Sequence, residues 1–310
     1  MTRVAAVDLG TNSTRLLVAD VEDGALDDVD RRLTITRLGE GVDGRRRLLP
    51  VAIARVRNVL ADYRRIAEGH RAERVLAVAT SAVRDAENGE AFLGEIEWSY
   101  GFETLLLRGE DEAALTVRGV GAGRPLGPGS VVVDVGGGST ELVVPNGFRT
   151  SLDIGCVRLT ERFGEDLEAM RDAVAALLAE RVPDEVAASA EEAIGVAGTV
   201  TTLATLDLGL PEEIREHVDG HRVTLGAVDE QLARLAALSV EERRGVAGLE
   251  PARAPVIVAG IAIVAETIRR LGLDGLDVSV RDILDGAALA AAELPARAEG
   301  DAPPGAYTCC

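Results

Sequence analysis

Residues 4–18 read VAAVDLGTNSTRLLV, and residues 130–144 read SVVVDVGGGSTELVV. Aligned without a gap, seven of the fifteen positions are identical: Val7/Val133, Asp8/Asp134, Gly10/Gly136, Ser13/Ser139, Thr14/Thr140, Leu16/Leu142 and Val18/Val144. Each copy is an apolar run, a small polar loop and a second apolar run, which is the pattern of strand, tight turn, strand. The pattern starts twice, about one domain apart, and 310 residues suit two domains. The economical account is two similar α/β domains, each opening with this hairpin.

Outward from the hairpins, the first half continues as α/β. Residues 25–38 read as a third strand, and 49–69 carry apolar residues at helical spacing from Val51 to Ile66. A short strand is expected over 74–79, a helix capped by Asn88 and running to Trp98, a strand over 102–107 and a helix over 110–119. Residues 121–129 are rich in Gly and Pro and mark the candidate junction. The expected division is therefore 1–120, 121–296 and a disordered tail over 297–310. In the second half, 148–154 should pair with the hairpin across Pro145-Asn146-Gly147. Helices are expected over 157–163, 167–182, 200–208, 227–238, 252–271 and 283–294, and strands over 193–197 and 276–280. Ser239 and Glu242 form a capping-box pattern.

Composition narrows the function classes. The net charge is −19, with every basic residue an arginine. Residues 1–118 hold 17 Arg against 21 acids, and the remainder 16 against 31, so the second half carries most of the acidity. Such a chain is a poor generic binder of nucleic acid or of a membrane surface, and a polyanionic ligand needs a local arginine patch or a metal ion. Cys156, Cys309 and Cys310 make neither a disulfide framework nor a zinc pattern, and the terminal pair reads as an incidental tail. Asp8 interrupts the first apolar run, so no signal peptide is read, and the apolar stretch 254–265 is too short to span a bilayer. The expected location is cytoplasmic.

The Asp-x-Gly-x-x-Ser-Thr loop carries the chemistry. Glycines and a small hydroxyl residue in a tight turn expose several backbone N–H groups in one direction, and such a nest binds phosphate oxygens. The aspartate at the strand end is a hard oxygen donor suited to Mg²⁺. A single copy reads equally as a plain hairpin turn; two copies in one register favour a polyphosphate clamp. Asp8-Leu9-Gly10-Thr11-Asn12-Ser13 and Asp134-Val135-Gly136-Gly137-Gly138-Ser139-Thr140-Glu141 resemble the two phosphate loops of the exopolyphosphatase/guanosine pentaphosphate phosphatase (Ppx/GppA) family. The resemblance continues through Ala79 to Arg84, Gly109 to Ala113, Gly155-Cys156-Val157, Ala197-Gly198-Thr199, Glu242-Arg243, Ala259 to Ile263 and Val280 to Gly286. It covers nearly the whole chain, which reads as a short, two-domain member.

That resemblance implies two actin-like domains (the ribonuclease H-like fold of acetate and sugar kinases, heat-shock ATPases and actin) with an active cleft between them. It implies hydrolytic release of terminal orthophosphate from inorganic polyphosphate or from guanosine pentaphosphate, a stringent-response nucleotide, and commonly a dimer. By the family's Gly-x-Glu-Glu-Ala motif, the general base falls on Glu112; the motif here has Asp111 in place of a glutamate and Arg108 in place of a serine. Glu112 also suits the bland role of a first-turn acid facing the helix dipole. Substrate contacts fall on Gly10, Thr11, Asn12, Ser13, Arg84, Gly136, Gly137, Gly138, Ser139, Gly198 and Thr199. Metal ligands, for Mg²⁺ or Mn²⁺, fall on Asp134, Glu141 and Asp8, any of which would otherwise brace a turn. Arg45-Arg46-Arg47 is a basic run that is either solvated or gathers a long anion. His70, His217 and His221 show no metal spacing, and Cys156 reads as packed rather than nucleophilic. The competing readings are a kinase of the same superfold and a polyphosphate or alarmone sensor without turnover.

Overall fold

In the computed structural model, residues 1–295 are described. The expected tail at 297–310, with Cys309 and Cys310, lies outside the described residues. The chain forms two units: Met1–Gly123 joined by the segment from Ile283, and Arg124–Asp282. The boundary falls inside the Gly/Pro-rich stretch 121–129. The last helix, Ile283–Glu293, packs with the first unit rather than with the second half, to which sequence position had assigned it.

The first unit is a five-stranded mixed sheet in the order β3-β2-β1-β4-β5. Its strands are β1 (Thr2–Leu9), β2 (Ser13–Glu22), β3 (Ala25–Ile35), β4 (Arg74–Ala79) and β5 (Glu103–Leu106). β1 and β2 form the expected hairpin, β3 extends it antiparallel, and β4 and β5 run parallel to β1 and β4. Along β1, Ala5, Val7 and Leu9 enter one core and Val4 and Ala6 the other, as alternate side chains of a strand must. Both faces are apolar because helices cover both. Pro50–Gly69 and Gly89–Tyr100 pack on one side; Gly109–Gly121 and Ile283–Glu293 pack on the other. The crossing of the last two is close, since a Cβ on Gly286 would lie 2.0 Å from the Leu115 carbonyl oxygen. Inside this core the carboxylate of Asp285, fully buried, is paired with Arg31 at 2.7 Å.

The second unit has six strands in the order β10-β11-β9-β6-β7-β8. They are β6 (Ser130–Val135), β7 (Thr140–Val143), β8 (Arg149–Leu152), β9 (Glu192–Val196), β10 (Arg222–Thr224) and β11 (Gly275–Val278). Here too an antiparallel three-strand meander is followed by strands running parallel to its first member, β9 and β11, and β10 forms the edge antiparallel to β11. Apart from β10, one topology thus occurs twice, and both units have the expected mixed sheet with helices. The core is built around Ile257–Leu271, in which nearly every residue is buried.

Several local expectations shift. Asn88 flanks the helix Gly89–Tyr100 but makes no side-chain cap; its amide is taken up by Leu48, accepting from the backbone N–H at 2.9 Å and donating to the carbonyl at 3.1 Å. The stretch 252–271 is not one helix: a 3₁₀ turn at Pro251–Arg253 precedes a helix that begins only at Ile257, past Pro255. The helix expected from Val200 begins at Ala197, inside the Ala-Gly-Thr motif, and Ala197 holds a φ of 68°. The capping box of Ser239 and Glu242 forms with both of its bonds, and the Ser239 hydroxyl, then its backbone N–H, donating to the Glu242 carboxylate hold that carboxyl below its usual range.

Candidate active site

In the first unit, Gly10 donates its N–H to the Ser13 carbonyl at 3.0 Å and closes the hairpin loop. The loop's other carbonyls are occupied from outside. Thr11 O accepts from Gly39 N–H at 2.8 Å, and Asn12 O accepts from the N–H groups of Thr36 and Arg37 at 3.1 and 2.9 Å. In a trans peptide the N–H lies opposite the preceding C=O. Anchoring Thr11 O and Asn12 O on one side therefore turns the N–H groups of Asn12 and Ser13 to the other. The Thr11 hydroxyl is shared with that of Ser81 at 2.9 Å. Asn12 is buried, and its Nδ2 has no acceptor among the described residues. An enclosed amide donor without an acceptor is costly, and an anion's oxygen is a fitting partner.

Arg84 ends a short helix, Ser81–Arg84, that follows β4. Its Nη1 donates to the Leu107 carbonyl at 2.8 Å and to Glu112 Oε2 at 3.1 Å. Glu112 sits in the first turn of Gly109–Gly121, where three acids occur in a row. The structure separates them. Glu110 is exposed, Asp111 pairs with Arg108 at 2.9 Å on the surface, and Glu112 is 7% exposed with the Arg84 guanidinium against it. The two departures from the family motif, Arg108 and Asp111, thus bond to each other, and this contact raises the Arg108 pKa. Nε and Nη2 of Arg84 have no partner among the described residues, which leaves donors for a phosphate oxygen.

The loop of the second unit is built the same way. Gly136 N–H donates to Ser139 O at 3.0 Å. The first turn of the helix Cys156–Phe163 then takes the three glycine carbonyls in succession. Cys156 N–H donates to Gly136 O at 3.0 Å, while Val157 and Arg158 N–H donate to Gly137 O at 2.8 and 3.2 Å. Arg158 Nε donates to Gly138 O at 2.6 Å. With these carbonyls fixed, the N–H groups of Gly137, Gly138 and Ser139 all face away from the helix, as three consecutive donors. Asp134 and Glu141 are direct register partners across β6 and β7, so both side chains stand on one face of the hairpin. Glu141 Oε1 also accepts from the Ser151 hydroxyl at 2.7 Å. Asp8, their counterpart in the first unit, has Oδ2 bonded by Arg15, from Nε at 2.9 Å and Nη2 at 2.8 Å.

Gly198 and Thr199 lie at the N-terminus of the helix Ala197–Asp207, with Thr199 buried. A Cβ on Gly198 would meet Arg253 Nη2 at 2.1 Å, so the guanidinium lies flat against this motif. Sequence reasoning missed both Arg158 and Arg253. Arg253 was hidden inside a stretch read as continuous helix, and Arg158 is distinguished only by a contact with loop backbone. Cys156 is buried beside Thr199, and burial pushes its thiol up to about 11, which suits packing and not nucleophilic attack. Among the described residues, no helix is long and apolar enough to cross a membrane.

Residues 17–288 match the model of the Ppx/GppA phosphatase family. Exopolyphosphatase 2 of Mycobacterium tuberculosis is 41% identical over 319 residues, covering 94% of this chain and 99% of that protein. The guanosine-5'-triphosphate,3'-diphosphate pyrophosphatase of Aeromonas salmonicida is 30% identical, over 89% of this chain and 56% of its own length. The crystal structure of an Aquifex aeolicus member of the Ppx/GppA family superposes with a TM-score of 0.77 at 31% identity, covering 93% of this chain and 97% of that one. An exopolyphosphatase-like protein of known structure reaches a TM-score of 0.87 at the same identity, covering 93% of this chain and 97% of its own. These matches define a phosphatase, and the chain belongs to the Ppx/GppA phosphatase family.

Proposed function

We propose that the protein is an exopolyphosphatase that releases orthophosphate from the end of inorganic polyphosphate. The observation that carries the reaction is the buried Glu112 with Arg84 against it, beside a loop that presents amides. Glu112 takes a proton from water as the water oxygen attacks the terminal phosphorus. The bridging P–O bond breaks, and its electron pair leaves on the shortened chain. Arg84, its position fixed by the Leu107 carbonyl, donates to a non-bridging oxygen. Amides of Asn12 and Ser13 in the first unit, and of Gly137, Gly138 and Ser139 in the second, supply donors that carry no net charge. They therefore bind a polyanion without altering the chain's acidity.

The choice of polyphosphate follows the relatives: 41% identity over nearly both full lengths for an exopolyphosphatase, against 30% over about half of a pentaphosphate pyrophosphatase. The second substrate to test is accordingly guanosine pentaphosphate. Phosphate release from long-chain polyphosphate, guanosine pentaphosphate and ATP, measured side by side, decides. Release from polyphosphate with the highest kcat/KM is expected; release from none of the three would overturn the proposal.

The donor set of Asp134 and Glu141 fits a hard divalent cation. As register partners on one face of the hairpin, they offer two hard oxygen donors side by side. No group of three or more acidic, His or Cys side chains able to hold a metal occurs among the described residues. Two protein ligands with water completing the shell suit Mg²⁺, which dehydrates reluctantly, or Mn²⁺. Asp8, the corresponding carboxylate of the first unit, is bonded by Arg15. Such an ion would neutralise phosphate charge in a chain whose own net charge is −19. Activity is expected to need Mg²⁺ or Mn²⁺, and Asp134→Asn to raise the concentration giving half activity and to weaken Mn²⁺ binding at equilibrium. Full activity in excess chelator would contradict this assignment.

A further inference from the structure

Arg45, Arg46 and Arg47 form the sole run of three basic residues in the sequence. All three are exposed, and among the described residues none of their guanidinium groups makes an ion pair or side-chain hydrogen bond. Arginines elsewhere in the same unit are mostly paired, as Arg55 is with Glu40 and Arg57 with Glu95. Asp43 lies on the same loop, Asp85 and Glu87 lie on the segment bonded to it, and Glu40 upstream is taken up by Arg55.

The loop carrying these arginines is tied at two points to the candidate site. Upstream, Gly39 donates to Thr11 O at 2.8 Å, and a Cβ on Gly39 would lie 2.3 Å from Thr11 Cγ2 and 3.1 Å from Ala82 Cβ. The same segment thus braces the first phosphate loop and touches the short helix that ends in Arg84. Downstream, Glu87 N–H donates to Arg46 O at 2.8 Å, and Leu48 is held by both ends of the Asn88 amide. Glu87 and Asn88 follow Arg84 by three and four residues. Arg46 takes a left-handed φ of 52° as the short helix Val42–Arg45 ends, and Leu48 is buried beneath. The three arginines therefore project from an anchored turn whose supports are the phosphate loop and the Arg84 segment.

We propose that Arg45, Arg46 and Arg47 form a second anion subsite that holds internal phosphates of a long polyphosphate chain while its end occupies the loop beside Arg84. The inference rests on polyphosphate as the ligand, though not on turnover. A chain of a few phosphates ends within the first site and has nothing to offer the triplet; a long chain engages both. Each charged contact displaces counterions, by about 0.7 per phosphate for flexible single strands, so three arginines account for a salt slope of about 2.

The test compares wild type with the triple variant R45Q/R46Q/R47Q by equilibrium binding of long-chain polyphosphate and of tripolyphosphate at several salt concentrations, with phosphate release followed in parallel. The variant is expected to bind the long chain more weakly, with the slope of log affinity against log salt reduced by about 2. Tripolyphosphate binding and turnover should be unchanged, and the charge-preserving R45K/R46K/R47K should restore long-chain binding. Equal long-chain affinity in wild type and glutamine variant, or a loss of the same proportion for both ligands, would overturn the subsite even if phosphate release proceeds. Loss confined to the long chain, in a protein that releases no phosphate, would keep the subsite and remove the exopolyphosphatase reading instead.

Discussion

Glu112→Gln is expected to lower kcat on polyphosphate by ~10²–10⁴ while leaving KM within a few-fold, the scale of losing a general base. Glutamine has the same shape, and its amide oxygen still accepts from Arg84 Nη1, a bond of 3.1 Å in the wild type. What disappears is the capacity to hold a proton. The arginine keeps its charge and loses an anionic neighbour, so phosphate binding should not suffer. A different role would give a different result. An acid in the first turn of a helix interacts favourably with the helix dipole for about 0.3–1 kcal/mol, and if that were the whole contribution, the variant would melt slightly earlier and turn over normally. The exposed Glu110, in the same turn, supplies the comparison: Glu110→Gln should show only the small stability effect. Near wild-type kcat in purified Glu112→Gln would remove this residue from the mechanism.

The ease of choosing Glu112 from sequence, and the difficulty of finding Arg158, have a common cause. A motif that recurs along the chain is visible without coordinates. The paired hairpins, the strands that follow each and the acidic first turn after Gly109 are all local, and the structure has each within a few residues of its expected place. What depends on packing was hidden. Ile283–Glu293 follows the last strand of the second unit, so adjacency assigned it there; its small residues instead let it press against the Leu115 carbonyl in the first. Asn88 has the side chain of a helix cap, but Leu48 claims both ends of its amide. Arg158 and Arg253 act on loop backbone and on a glycine's bare Cα, surfaces with no side-chain signature to read. The helix-start residues Gly155-Cys156-Val157 were noticed as a motif, yet the reason for the glycine appears only once the three carbonyls they serve are placed.

Gly155→Ala is therefore expected to lower kcat/KM by about 10², although the residue touches no substrate. The backbone at Gly155 is extended, with φ −154° and ψ 163°, a conformation any residue adopts. Its glycine is required by space. A Cβ there would lie 2.4 Å from both the carbonyl carbon and the oxygen of Gly137 and 2.5 Å from the amide nitrogen of Gly138. These are backbone atoms on both sides, so no flexible side-chain end can swing aside, and the phosphate loop must move relative to the helix Cys156–Phe163. That helix supplies the donors that fix the three glycine carbonyls, and a shift there rotates the amides of Gly137, Gly138 and Ser139 out of common alignment. Displacements of about 1 Å in positioning groups are enough for losses of about 10². Stability and positioning are separated by two further variants. Gly94→Ala, at an exposed position of the helix Gly89–Tyr100 with nothing within 4 Å of the new Cβ, should leave activity unchanged and raise stability by about 0.5–1 kcal/mol. Arg158→Lys keeps the charge and, lacking the guanidinium Nε–H that reaches Gly138 O, should give a milder loss in kcat/KM than Gly155→Ala at little change in melting temperature. Wild-type kcat/KM in a folded Gly155→Ala protein would show that the loop's amides need no such alignment, and with it the electrostatic part of the proposed mechanism would fall.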